Sequence, residues 1–124
     1  MDIETAREYC LSLPCTTEDM PFGPDDLAIR VMGKIFAFFD LERPWLMVLK
    51  CDPIYAEELR DKYTAVEPAW HWNKKYWNQI YFEKDVNTEL FQQLILHSYN
   101  EVVKKFPKKL KDEYENVQKQ EKQA

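Results

Sequence analysis

The sequence predicts a single α+β domain, a two-layer sandwich in which helices pack on one face of a five- to six-stranded antiparallel sheet. Three observations lead there. Three segments carry apolar residues at helical spacing behind a capping residue. Between the first two lie adjoining runs rich in β-branched and aromatic residues, joined by short turns. The chain, 124 residues with 45% hydrophobic content, is long enough for one packed core and shows no interdomain linker.

Residues 2–12 read as the first helix. Ile3, Ala6, Cys10 and Leu13 recur at helical spacing, Asp2 caps the start and Pro14 stops it. A short extended segment, Thr16 to Met20, leads into the turn Pro21-Phe22-Gly23-Pro24. Leu27–Met32 and Lys34–Asp40 then form a hairpin about Gly33, which permits a tight turn. Leu41-Glu42-Arg43-Pro44 joins them to Trp45–Cys51, completing a three-strand meander. Simple alternation puts Ile35, Ala37 and Phe39 on one face and Phe36 and Phe38 on the other. In the same way Trp45, Met47 and Leu49 oppose Leu46, Val48 and Lys50. Apolar residues on both faces mean central strands, or a sheet whose second face is partly covered.

Asp52-Pro53 opens a helix running to about Lys62, with an oxygen-bearing cap and proline at the first position. Ala65–Trp70 and Tyr76–Phe82 read as two further strands flanking the connection His71–Lys75. Asn87 caps the last long helix, where Val86 and Phe91 can form a hydrophobic staple, and Pro107 breaks it. The domain is expected to span residues 1–110. Residues 111–124, with Tyr114, Val117 and Ala124 as their apolar residues, read as a polar tail forming a solvated or frayed helix.

Composition excludes several function classes. Two glycines cannot build a Gly-rich phosphate loop, and no apolar run approaches the roughly 20 residues needed to span a bilayer. The start Met1-Asp2-Ile3-Glu4-Thr5 is acidic and lacks the regions of a secretory signal, so the reading is a cytosolic protein. Cys10, Cys15 and Cys51 carry no CxxC spacing and read as small buried hydrophobes. Neither zinc nor another metal is expected: His71 and His97 form no ligand-spaced pair with a cysteine, and Glu4 and Glu8 read as a solvated helix face. No arrangement of Ser98, His97, Cys51 or Glu67 demands catalysis, so neither an enzyme nor a cofactor is expected. A net charge of −5 argues against bulk attraction to nucleic acid, but the charge is polarised. Residues 1–27 are acidic, and Lys104, Lys105, Lys108, Lys109 and Lys111 follow one another without an acid between them. Those lysines read first as complements to a helix C-terminus.

The segment Glu67 to Asn78 concentrates the chemistry, holding three of the four tryptophans with one histidine and two adjacent lysines. Lysines give point-charge contacts to phosphate, and tryptophan and tyrosine faces stack on unpaired bases. On this reading His71, Trp72, Asn73, Lys74, Lys75, Tyr76 and Trp77 form a nucleic-acid platform, with Lys34 and Lys50 as neighbours. Trp70 is a further candidate for stacking. A second reading makes some of these rings core and Asn73-Lys74 a polar connection. A third makes the aromatic ridge His71–Trp77 a surface for a protein or small ligand. All three are compatible with the sequence.

Four motifs carry a family resemblance. They are Gly33-Lys34-Ile35-Phe36-Ala37, Leu49-Lys50-Cys51-Asp52-Pro53, the segment Pro68 to Trp77, and Ser98-Tyr99 with Val102. The third fixes His71, Asn73, Lys74 and Trp77 in register. Together, over residues 2–106, the chain resembles the MmcQ/YjbR family. Ala69, Trp70 and Tyr76 stand where that family has glycine, tyrosine and a second histidine, so no role of that histidine carries over. The resemblance implies a CyaY-like (frataxin-like) fold and DNA binding. The expected protein is thus a small cytosolic binding protein, a monomer or weak dimer, with DNA or single-stranded nucleic acid as its partner and no membrane contact.

Overall fold

The computed structural model describes residues 1–123, with side chains through residue 120. Helix α1 (Ile3–Ser12) starts at Asp2, whose carboxylate accepts from Thr5 N–H. Strands β1 (Thr16–Asp19), β2 (Asp26–Val31), β3 (Lys34–Asp40) and β4 (Leu46–Lys50) follow. Helix α2 (Pro53–Lys62) is capped by Asp52, which accepts from Ile54 and Tyr55 N–H. Strands β5 (Val66–Pro68) and β6 (Trp77–Tyr81) come next. Helix α3 (Thr88–Val103), capped by Asn87, and helix α4 (Lys108–Gln123) complete the chain. The six strands form one antiparallel sheet in the order β1-β2-β3-β4-β6-β5. The α+β architecture is the one the sequence predicts, and no described helix is long and apolar enough to cross a membrane.

One face of the sheet meets the helices. Ile29, Phe36, Ala37, Phe39, Met47, Leu49 and Ile80 pack there against Ala6 and Cys10 of α1, Leu59 of α2 and Phe91, Ile95 and Tyr99 of α3. Burial pushes the thiols of Cys10 and Cys51 up to about 12, so they act as packing groups. The other face, here the open face, carries a smaller cluster of Ala28, Phe38, Leu46, Val48 and Ala69.

Simple alternation along β3 fails at one residue. Ile29 pairs with Ala37 but Arg30 with Ile35, so Phe36 is an extra residue in a β-bulge. Phe36 and Ala37 therefore both face the helices, while Ile35 and Phe38 face the open side. Phe36 sits edge-on to Tyr99, ring centroids 5.3 Å apart. The hairpin between β2 and β3 turns at Met32 and Gly33, both at positive φ, the geometry of a type I′ turn.

Two further expectations change. The segment expected as a strand over 65–70 keeps strand geometry only from Val66 to Pro68, because Ala69 onward folds over the open face. The tail expected as a solvated or frayed helix is helical, as part of α4, but it is not solvated throughout: Tyr114 is buried against Phe106 and shares a hydrogen bond with Tyr99. Ala124, the last residue of that tail, lies outside the described residues.

The bulge and the end of β4 leave backbone groups without a ladder partner, and α3 supplies side chains for them. Ser98 Oγ accepts from Lys50 N–H at 2.9 Å and donates to Phe36 C=O at 2.5 Å. His97 Nε2 accepts from Asp52 N–H at 3.2 Å, and Cys51 N–H donates to Tyr76 C=O at 2.7 Å. His97 lies 3.6 Å from Glu101, a spacing that would suit an imidazolium. Burial outweighs that attraction and the smaller pull of Asp52, so its pKa falls below the usual histidine value. Glu101 pairs with Lys104 instead, at 2.5 Å.

Ser98→Ala leaves two inward backbone groups unpaired and is expected to cost about 2–4 kcal/mol, read as a lower urea midpoint at unchanged m-value. The lowered pKa of His97 means that the unfolded chain binds a proton more readily than the folded one. Its contribution is full above about pH 6.5 and is lost as pH falls toward the lower folded value. Stability measured by urea titration should therefore decline from pH 7 to about 5.5 in the wild type, and His97→Gln should flatten that decline.

Candidate nucleic-acid interface

Residues 69–77 form a loop laid back over the open face, and polar side chains hold it there. Trp70 N–H donates to Oε1 of the fully buried Gln79 at 3.2 Å, and His71 turns the chain at φ 67°. Asn73 Oδ1 accepts from Lys75 N–H, and Asn73 C=O accepts from Tyr76 and Trp77 N–H. Arg60, reaching from α2, donates through Nε to Asn78 Oδ1 at 2.7 Å and through its terminal nitrogen to Lys74 C=O. Glu67 receives Tyr81 OH at 2.9 Å and a bond from Gln79, so it is a structural acceptor.

The loop presents a ridge. Trp72 and Trp77 lie with ring centroids 4.5 Å apart, and Trp72 packs on Phe38 at 5.2 Å. A hollow opens beside each of the two rings. The first, about 360 Å³, has Phe22, Phe38, Trp70 and Trp72 as its rings. Its polar side chains are Asp26, Asp40, Arg43 and His71. Arg43 stands over Trp70, 4.6 Å from the ring centroid, and donates through Nε to Asp40 at 3.0 Å. Its Nη1 is buried without a hydrogen-bond partner among the described residues. Trp70 is 50% exposed and Phe22 66% exposed, so two of the four rings face solvent.

The second hollow, about 460 Å³, is basic. Lys34, Lys50 and Lys105 line it with Arg30, around Trp77 and Ile35. Arg30 is paired with Asp19 at 2.8 Å, whereas the three lysines make no ion pair among the described residues. Burial lowers the pKa of Lys50, and repulsion from Lys105 and Lys104 adds to this against the pull of Glu101. An anion placed among these ammonium groups would relieve that repulsion. Lys105 and Lys75 both stand over the ring of Tyr76, at 4.7 and 5.4 Å, extending the cationic strip along the ridge.

The structure thus divides the residues singled out from the sequence. His71 and Trp72 line the aromatic hollow, and Lys34, Lys50 and Trp77 the basic one. Tyr76 and Lys75 extend the second. Asn73 shapes the loop, and Lys74 lines neither hollow. Sequence reasoning missed Phe22, Asp26, Asp40 and Arg43, and it read Lys105 as a helix-end charge. Register arithmetic offered a signal for two of them: Asp26 and Asp40 are cross-strand partners, each two residues from an open-face residue, Ala28 and Phe38.

A family model described as YjbR matches residues 11–101. The chain belongs to the YjbR family. It is 34% identical over 101 residues to the uncharacterized protein YbdF of Escherichia coli O157:H7, covering 81% of this chain and 83% of that one. To the uncharacterized protein YjbR of Escherichia coli K12 it is 27% identical over 108 residues, covering 86% and 92%. A crystal structure of Deinococcus radiodurans protein DR2400, with a DUF419 domain, is similar at a TM-score of 0.84 and 32% identity. That match covers 91% of this chain and 87% of that one.

Arg60 is the cross-link between α2 and the loop. Arg60→Ala strands the acceptors on Asn78 and Lys74 and is expected to cost about 1.5–3 kcal/mol. Amide hydrogen exchange should quicken at Tyr76 and Trp77 more than in β3 if the guanidinium holds the loop.

Proposed function

We propose that this YjbR-family protein binds single-stranded nucleic acid on the open face of its sheet. The observation that carries the proposal is the convergence of Lys34 from β3, Lys50 from β4 and Lys105 from the turn after α3 around Trp77. Ammonium groups without an ion-pair partner among the described residues suit successive phosphates, and an aromatic ring among them suits an unpaired base. The Trp72–Trp77 ridge then leads from the phosphate-binding hollow to the aromatic one, where a second base has rings to lie against. A duplex keeps its bases stacked inside and would leave these rings unused, so the single strand is favoured.

Fluorescence anisotropy with labelled single- and double-stranded oligonucleotides tests this. Three phosphate contacts give a slope of about −2 for log affinity against log salt on a single strand. The pair Lys50→Ala/Lys105→Ala should weaken binding at least about tenfold and bring the slope to about −0.7, as one contact remains. No binding at about 50 mM salt removes the proposal. The hollow beside His71 favours one other reading, a small planar ligand held by the rings alone. That ligand would bind with little salt dependence and be insensitive to the Lys50 and Lys105 substitutions.

A further inference from the structure

We infer that the aromatic hollow is a guanine pocket, an assignment that deepens the nucleic-acid reading of the open face and rests on it for the polymer as ligand. Its size, about 360 Å³, lies at the small end of ligand pockets. Phe22 and Trp70, both largely exposed, offer rings for stacking above the floor made by Phe38 and Trp72.

The polar groups select among planar ligands. Asp26 and Asp40 are cross-strand partners, so their carboxylates leave neighbouring positions of the sheet. Asp40 is engaged by Arg43 and by Glu42 N–H, while the Asp26 carboxylate has no side-chain hydrogen bond or ion pair among the described residues. Arg43 in turn has Nη1 buried without an acceptor among the described residues. The hollow therefore combines one unengaged carboxylate with one under-used guanidinium. A carboxylate accepts two parallel N–H bonds, and a guanidinium donates two in a fork. Guanine alone among the bases offers both complements: the ring N1–H and the amino group as adjacent donors, and O6 with N7 as adjacent acceptors. Cytosine and adenine bring an amino group without a neighbouring ring N–H, and thymine has no amino group. Within the site, the Asp26 carboxylate receives the N1–H and amino protons, and the Arg43 guanidinium, its Nε held by Asp40, makes a single donation to O6.

The test compares tryptophan quenching by GMP and TMP, and anisotropy of an oligothymidine with and without one central dG, at about 50 mM salt. Guanine selection is expected to tighten both members of the comparison about tenfold or more. Asp26→Asn should bring the dG oligonucleotide to the level of plain oligothymidine at an unchanged melting temperature. The comparison of GMP with TMP on the wild type decides the matter even if that variant fails to fold. Binding of GMP without binding of any oligonucleotide keeps the pocket and assigns it to the free nucleotide, overturning only the polymer reading. Oligothymidine bound as tightly as the dG oligonucleotide, with GMP no better than TMP, overturns the guanine pocket and leaves the polymer reading standing. If nothing binds, both fall.

Discussion

One hydroxyl governs how this sheet can be built. Ser98 bridges the Phe36 carbonyl at the bulge in β3 and the Lys50 amide at the end of β4. Without that bridge two backbone groups would be left unpaired, a cost comparable with a large share of a small domain's stability. The bulge in turn sorts the strand's side chains. It sends Phe36 and Ala37 together toward the helices and leaves Phe38 on the other side, where Trp72 lies against it. The position of the aromatic ridge thus depends on a serine of α3 on the opposite face of the sheet.

The helices and the meander were legible because their signals are local. Asp2, Asp52-Pro53 and Asn87 are caps that act within one turn, and each heads a helix in the structure. Gly33 likewise marks a two-residue turn. Register was legible in β4, where alternation sorts Met47 and Leu49 from Leu46 and Val48 as the structure has them, and failed where a distant partner sets it. Strict alternation mis-sorted Phe36 and Ile35, because a bulge depends on a partner strand and on Ser98, 62 residues away. The strand expected to continue to Trp70 ends at Pro68, since Gln79 and Arg60 draw the following residues over the sheet. The candidate site was legible as a list and not as a shape. His71 to Trp77 looked like one platform, yet the tilted packing of Trp72 on Trp77 makes that pair a ridge with a different hollow beside each ring. Lys105 joins Lys50 only through the path of α3 across the sheet.

Electrostatics resolves the tension between an acidic chain and a basic surface. The total charge is −5, but several carboxylates are held by cations of their own. Glu18 pairs with Arg7, Asp19 with Arg30, Asp40 with Arg43 and Glu101 with Lys104. Three of the four arginines thus each hold a carboxylate of the protein, which suits their forked geometry. Lysines, whose charge is compact and mobile, are left to face outward around Tyr76 and Trp77. Partition of the two cation types, more than net charge, gives the surface its sign.

The two rims of the sheet have a consequence for self-association. Strand β5 is three residues long and finishes at Pro68, which has no amide hydrogen to offer a neighbour. Strand β1 presents Glu18 and Asp19 along its outer margin, already tied to arginines. A second molecule trying to extend the sheet would meet a stub at one border and fixed negative charge at the other. The fold can therefore keep a ring-rich surface in water without inviting fibrous growth through its margins.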